Sequence, residues 1–304
     1  YTVALIGGLL AGCAVVPSYK AITEETLIRL IQSMSPIAIY ASPDIISNVR
    51  SALCSCLESV VFSNTTDIAI TSSETTIPVE LIPKKLDDIS SVLFTSGTSG
   101  SAPKGAIFTE ELMLPSEGAS PLQPFVRLDF QSFDPCYVLS LLSTLHCGGQ
   151  RAFTDINHLQ DDLPFARPTH LGAPPAFWNA LYREYLSKVK QYQHGDGDGG
   201  DIESSCRKVA NEIRSSLGNR LIVATSGGAA ISHEVAEFIR HQLRIALVDL
   251  YGTREAGGIA RDGVVHQGVT VILLPVPELG YSGDPSDGPS ARVFGMINLL
   301  AITK

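Results

Sequence analysis

No run of lysines or arginines occurs anywhere in this chain of 304 residues, whose net charge is −9. Nucleic acids and anionic membrane surfaces are gripped by clustered cations, so neither is an expected partner. Any anionic ligand must instead be met by local groups. Only 17% of the residues are charged and 44% are hydrophobic, a balance that excludes a disordered chain. The six cysteines (Cys13, Cys54, Cys56, Cys136, Cys147 and Cys206) include no CxxC pair and no matching histidine spacing. That speaks against a zinc site, and the length of the chain speaks against a disulfide framework. Reduced thiols in a cytoplasmic enzyme are the expectation, with no transmembrane segment. The opening VALIGGLLAGC, Val3 to Cys13, imitates a lipoprotein signal but lacks the initial Met and the basic flank of one. Val15, Val16 and Pro17 carry the apolar character past the cysteine, so a buried core segment is expected. The missing Met leads us to expect a fragment cut inside a domain.

What is present is an alternation of helix and strand patterns. Thr23 can cap a helix whose first turn holds Glu24 and Glu25, acids that suit the positive end of a helix dipole. Leu27, Leu30, Ile31 and Met34 follow at amphipathic spacing, and the helix should stop before Pro36. Ile37 to Tyr40 reads as a strand and Asp44 to Val60 as a second helix. Ser91 to Thr95, Leu221 to Thr225 and Ile245 to Leu250 are strands, and Ser232 can cap the helix between the last two. The fold class is therefore α/β, with layered, mostly parallel sheets flanked by helices. These last three strands run into small, polar or glycine-rich turns. Ligands of open α/β sheets sit beyond the carboxyl ends of strands, so the three turns are candidates to share one. HGDGDGGD, His194 to Asp201, lacks the third ligand and the closing Glu of a calcium loop and is expected to be a solvated insertion between two helices.

The first turn, TSGTSGSAPKG from Thr95 to Gly105, is rich in hydroxyls and glycines and carries one lysine. A Walker A loop needs Gly-Lys-Ser/Thr opening a helix, whereas Lys104 here lies between Pro103 and Gly105. No GxGxxG stands at the spacing of a dinucleotide fingerprint. What remains is a flexible loop in which Thr95, Ser96, Thr98 and Ser99 offer hydroxyls. Gly97 and Gly100 allow close backbone approach, and Lys104 supplies a cation for phosphate.

At this point the sequence resembles the adenylate-forming, AMP-binding superfamily, which includes acyl-CoA synthetases, luciferases and nonribosomal adenylation domains. TSGTSGSAPKG is similar to its phosphate-binding signature, SGGAAIS (Ser226 to Ser232) to its adenine-side loop, and DLYGTREAG (Asp249 to Gly257) to its YGxTE signature. RPTHLGAPPAFWNALYREY, Arg167 to Tyr185, resembles a segment of long-chain synthetases and reductases. The stretch from REAGGIARDGVV to VPELGY, Arg254 to Tyr281, looks most like the adenylation domain of carboxylic acid reductases.

The resemblance implies attack of a carboxylate on ATP, giving an acyl-adenylate and pyrophosphate. It implies that Thr95, Ser96, Gly97, Thr98, Ser99, Gly100 and Lys104 line the phosphates. Gly228, Ala229, Tyr251 and Gly252 would frame the adenine, and Asp249 would accept from its amino group. Lys104, Arg254 and Glu255 would be catalytic, with Glu255 holding Mg2+. Ala173, Phe177, Trp178 and Gly227 are pocket candidates for a fatty or aromatic acid, the two aromatics being equally compatible with plain helix core. CoA or phosphopantetheine is implied as acyl acceptor, with carrier-protein and reductase domains in the full-length chain. A long-chain fatty acid–CoA ligase and an inactive nucleotide-binding fragment are the alternatives. The expected organisation is a large domain over residues 1–290, incomplete at both ends, with two lobes at about 1–85 and 86–290. An atypical tail, 291–304, would follow, and the small C-terminal lid would be absent. Besides that tail and the absent lid, three departures from the family pattern stand out. Arg254 replaces the threonine of YGxTE, Ser101 and Ala102 lengthen the phosphate loop by one residue, and FDPCYVLS (Phe133 to Ser140) lacks a histidine.

Overall fold

The apolar opening of the chain folds into helix α1 (Thr2–Leu10), whose Leu5 is buried against Leu93, Phe108, Met113 and Leu141. Ile6, Leu9 and Val15 pack partly buried against the same cluster, whereas Leu10 and Val16 are exposed, so the expected core segment is buried only in part. In the computed structural model the described residues are 2–18, 22–53, 61–64, 82–94, 105–113, 125–130, 136–195, 201–253 and 256–272. They belong to two compact units, Tyr1–Ala119 with Ser132–Ser143, and Ser120–Gln131 with Thr144–Lys304.

In the first unit, Thr23 caps α2 (Glu24–Met34) by accepting a hydrogen bond from the Thr26 amide. Ser35 ends the helix in a left-handed conformation, with φ of 44°, one residue before Pro36. Strand β1 (Ala38–Ala41) pairs in parallel with β2 (Val61–Asn64), and α3 (Pro43–Leu53) connects them. The rest of the helix expected to reach Val60 lies outside the described residues. Ile31 and Val49 pack with Leu27, Ile28 and Ile39 between the helices and β1. Strand β3 (Ile89–Phe94) pairs antiparallel with β4 (Gly105–Thr109), Phe94 opposite Gly105. Thr95 to Lys104 separates these two strands in the sequence and lies outside the described residues. The Val15 amide donates to the Ser90 carbonyl and the Val92 amide to the Val15 carbonyl, which stitches the N-terminal segment to β3. Strands β3 and β4 belong to the same unit as α1. Helices α4 (Glu110–Met113) and α5 (Cys136–His146) follow, and α5 passes from the first unit into the second.

The second unit is built on one sheet. Its strands are β5 (Val126–Asp129), β6 (Gln150–Phe153), β7 (His170–Ala173), β8 (Val223–Gly227), β9 (Ala246–Thr253), β10 (Gly257–Arg261) and β11 (Val264–Val265). Their order is β11-β10-β9-β8-β7-β5-β6, parallel from β6 to β9 and antiparallel beyond it. Helices α6 (Leu159–Ala166), α7 (Pro175–Gly195), α8 (Ile202–Ser216) and α9 (His233–Glu237) supply the remaining core. Asp201 caps α8, so HGDGDGGD does join two helices. Ser232 caps α9, accepting from the Val235 amide, and α9 widens into a π-helical turn at Phe238–Gln242 that buries Phe238 and Ile239.

Two strand boundaries differ from the sequence pattern. Strand β8 starts at Val223, because the Ile222 and Val223 amides both donate to the Thr169 carbonyl and the regular ladder begins only there. It therefore includes Ser226 and Gly227 of SGGAA. Strand β9 runs through Tyr251, Gly252 and Thr253, where a turn was expected. Its parallel partner β8 ends opposite Leu250, and there the antiparallel partner β10 takes over the pairing.

Candidate active site

The carboxyl ends of β7, β8 and β9 stand in register, with Ala173 opposite Ser226 and Ser226 opposite Asp249. Ser226 is fully buried, and its hydroxyl has no hydrogen-bond partner among the described residues. A buried hydroxyl left unpaired is costly, so its place at a strand end marks a position kept for something other than packing. Gly227 leaves backbone bare beside it: a Cβ there would stand 3.1 Å from the Leu250 carbonyl oxygen. Gly228 adopts a φ of +83°, with open space where a side chain would begin, and Ala229 is exposed. This is a shelf of accessible backbone, the surface that a flat ring or a phosphate can approach closely.

Across from it, Asp249 is half-buried, and its carboxyl is held above the usual range. Burial is the main cause and the charge of Asp262 the second, with Arg240 opposing both. Tyr251 is exposed, and Gly252 is required by the pairing, since a Cβ on it would fall 2.4 Å from the Gly257 carbonyl oxygen. Thr253 and Gly257 face each other across the β9–β10 connection, and the Thr253 hydroxyl accepts from the Ala256 amide at 3.1 Å. Arg254 and Glu255 lie outside the described residues, as do Thr95, Ser96, Gly97, Thr98, Ser99, Gly100 and Lys104.

The family model of AMP-binding enzymes matches residues 1–279. The chain belongs to the AMP-binding enzyme family. A carboxylic acid reductase of Segniliparus rugosus is 28% identical over 96% of this chain and 28% of the reductase. Long-chain-fatty-acid–CoA ligase 5 of Mus musculus is 25% identical over 80% of this chain and 43% of the ligase. The structure of the A-PCP didomain of carboxylic acid reductase from Segniliparus rugosus, in complex with AMP, matches with a TM-score of 0.75 at 25% identity. That match covers 95% of this chain and 45% of the didomain. This chain spans less than half the length of each of these proteins.

Within this AMP-binding domain the pocket candidates divide. Ala173 is buried as the last residue of β7. Phe177 is half-buried, with its ring centroid 5.6 Å from that of Phe130. Trp178 is completely enclosed, and its indole N–H donates to the carbonyls of Ala173 at 3.2 Å and Thr225 at 3.4 Å. Of the two readings for Trp178, helix core is the one that its surroundings support: it ties two strands together beneath the shelf. Among the described residues no group of three His, Cys, Asp or Glu gathers as a metal site, and no helix is long and apolar enough to cross a membrane. The sequence pattern assigned Ser226 no role and did not connect Asp262 with Asp249. The available signals were the small-residue run after β8 and the Asp-Gly dipeptide of a tight hairpin.

Proposed function

We propose that this chain activates a carboxylic acid as its adenylate. In that step a carboxylate oxygen bonds to the α-phosphorus of ATP while the bond from that phosphorus to the bridging oxygen breaks, and pyrophosphate leaves. The observation that carries the reading is the register of β8 and β9, which sets the bare Gly227–Gly228 backbone beside Asp249 inside a family match that covers residues 1–279. Gly228, Ala229, Tyr251 and Gly252 would hold the adenine, with Asp249 accepting from its amino group. Thr95 to Gly100 and Lys104 would meet the β- and γ-phosphates with hydroxyl, amide and ammonium donors, which offset the charge that grows on the leaving group. Arg254 would add a planar two-pronged donor where threonine is usual. Glu255 offers the kind of oxygen ligand that Mg2+ prefers, and the ion would offset phosphate charge.

The acid is fatty or aromatic, consistent with Ala173, Phe177 and the small residue Gly227 at the strand ends. The acyl acceptor would be phosphopantetheine on a carrier domain, followed by a reductase domain, all in the cytoplasm. The 25% identity to a long-chain ligase favours a second reading, with free CoA as acceptor and the same first step. The deciding measurement is carboxylate-dependent exchange of labelled pyrophosphate into ATP by the whole gene product, over a panel of fatty and aromatic acids. Exchange with one class is expected, and Lys104→Ala should abolish most of it while weakening ATP binding more than AMP binding. Absence of exchange with every acid would overturn the reading in favour of an inactive nucleotide-binding protein.

A further inference from the structure

The hairpin after β9 makes contacts that its strand pairing alone does not explain. Asp262 and Gly263 form its two-residue turn, and both have positive φ, 52° and 79°. This is the left-handed pair that a tight hairpin with right-twisted strands requires, and it suits Asp-Gly. The Asp262 side chain, however, is not spent on the turn. Its Oδ1 accepts the Asp249 amide at 2.8 Å, and the Asp262 amide in turn donates to the Asp249 carbonyl at 2.8 Å. Both backbone groups of Asp249 on that side are thus closed by one residue, just before β9 passes from pairing with β8 to pairing with β10. The second carboxylate oxygen of Asp262 lies 3.6 Å from the Arg261 guanidinium.

The consequence is a fixed acid beside another acid. A hydrogen-bonded clamp on an exposed strand edge could be made by Asn or Ser without bringing a second negative charge to Asp249. Among the described residues, the charges acting on Asp249 are Asp262 from the hairpin turn and Arg240 from the π-helical turn, with Arg261 beside Asp262. We propose that Asp262 is a positioning residue that holds Asp249 to read the 6-amino group of a bound adenine. The inference rests on the acid-activation reading above and adds the residue that sets the reader. An adenine amino group donates two protons, and a clamped, half-buried carboxylate is an acceptor matched to it. A hypoxanthine ring, with a carbonyl oxygen in that place, would instead meet the Asp249 carboxylate oxygen against oxygen.

The direction of the pH effect follows. Asp249 must be ionised to accept from adenine, and burial together with Asp262 holds its pKa up. AMP binding should therefore weaken as the pH falls through that raised value. Removing the charge of Asp262 lowers the pKa of Asp249 and moves this acid limb to lower pH.

The test is calorimetric binding of AMP and of inosine monophosphate to the whole gene product, from pH 4 to pH 8, for the parent, Asp262→Ala and Asp262→Asn. The parent should prefer AMP by about tenfold, the scale of one charge-assisted hydrogen bond gained or lost. Asp262→Ala should lose about tenfold in AMP affinity and most of that preference. Asparagine keeps the acceptor and tolerates positive φ, so Asp262→Asn should recover most of the loss, with its acid limb displaced to lower pH. A folded alanine variant that retains the parent's preference overturns the proposal. If the alanine variant does not fold, an unshifted acid limb in Asp262→Asn overturns it. A parent that binds neither nucleotide sinks the acid-activation reading itself.

Discussion

Two rows of residues on one face of the second unit's sheet lie two positions apart and behave in opposite ways. Leu171, Ala224 and Leu247 form the inner row and are 1%, 0% and 6% exposed, closed over by α6 to α9. Ala173, Ser226 and Asp249 form the outer row, with an unpaired buried hydroxyl and a half-buried carboxyl. Along a strand two residues cover only about 7 Å. Within that distance the sheet passes from buried apolar positions to a hydroxyl with no partner among the described residues and a half-buried carboxyl. The inner row contributes burial to the stability of the unit, and a buried hydroxyl without a partner takes some of that stability away.

The comparison can be broken most forcefully at Trp178, which donates to the carbonyls of Ala173, in the outer row, and Thr225. Trp178→Ala should lower unfolding free energy by about 3–5 kcal/mol in urea titrations, the usual cost of emptying an aromatic core position. A loss within the scatter of surface variants would return Trp178 to the pocket. Next comes Gly252→Ala, whose new methyl must push the Gly257 carbonyl away and part β9 from β10. We expect a loss of about 1–3 kcal/mol together with weaker AMP binding. Unchanged stability and affinity would mean that the hairpin is looser than its pairing suggests.

Ser226→Ala sharpens the contrast because its sign is opposite. Deleting an unpaired buried hydroxyl should raise the stability of the ligand-free chain by about 1 kcal/mol, measured in the same titrations. Destabilisation would show that the hydroxyl is satisfied after all and that the outer row resembles the inner one. The smallest effect is expected at His170, one residue from the inner row. Burial, and then Arg127, hold its pKa below 6.5 in the folded chain. The unfolded chain takes up the proton first on acidification, so stability should fall as the pH drops below 6.5. His170→Gln should show a smaller difference between urea midpoints at pH 7.5 and pH 5.5 than the parent does. An equal difference would assign the acid sensitivity to other groups.

Helix α2 was legible in full, because its amphipathic spacing, the Thr23 cap and the stop before Pro36 are local and agree with one another. The Ser232 cap and the central runs of β3, β8 and β9 were legible for the same reason, as were the signatures that mark the family. Chain-local patterns could not reveal which strand takes over when another ends. The extension of β9 to Thr253, the antiparallel β10–β11 edge and the stitching of Val15 to β3 all depend on partners distant in sequence. The role of Trp178 was equally closed to a pattern reading, since core and pocket demand the same residue type and differ only in what surrounds it. Hydrophobic periodicity, caps and glycine-rich turns thus determined the α/β class and the strand ends at which a ligand can sit. Only tertiary pairing decided that Asp262 clamps Asp249 and that Ser226 is buried with no partner among the described residues, because both facts come from contacts between strands whose register no local pattern records.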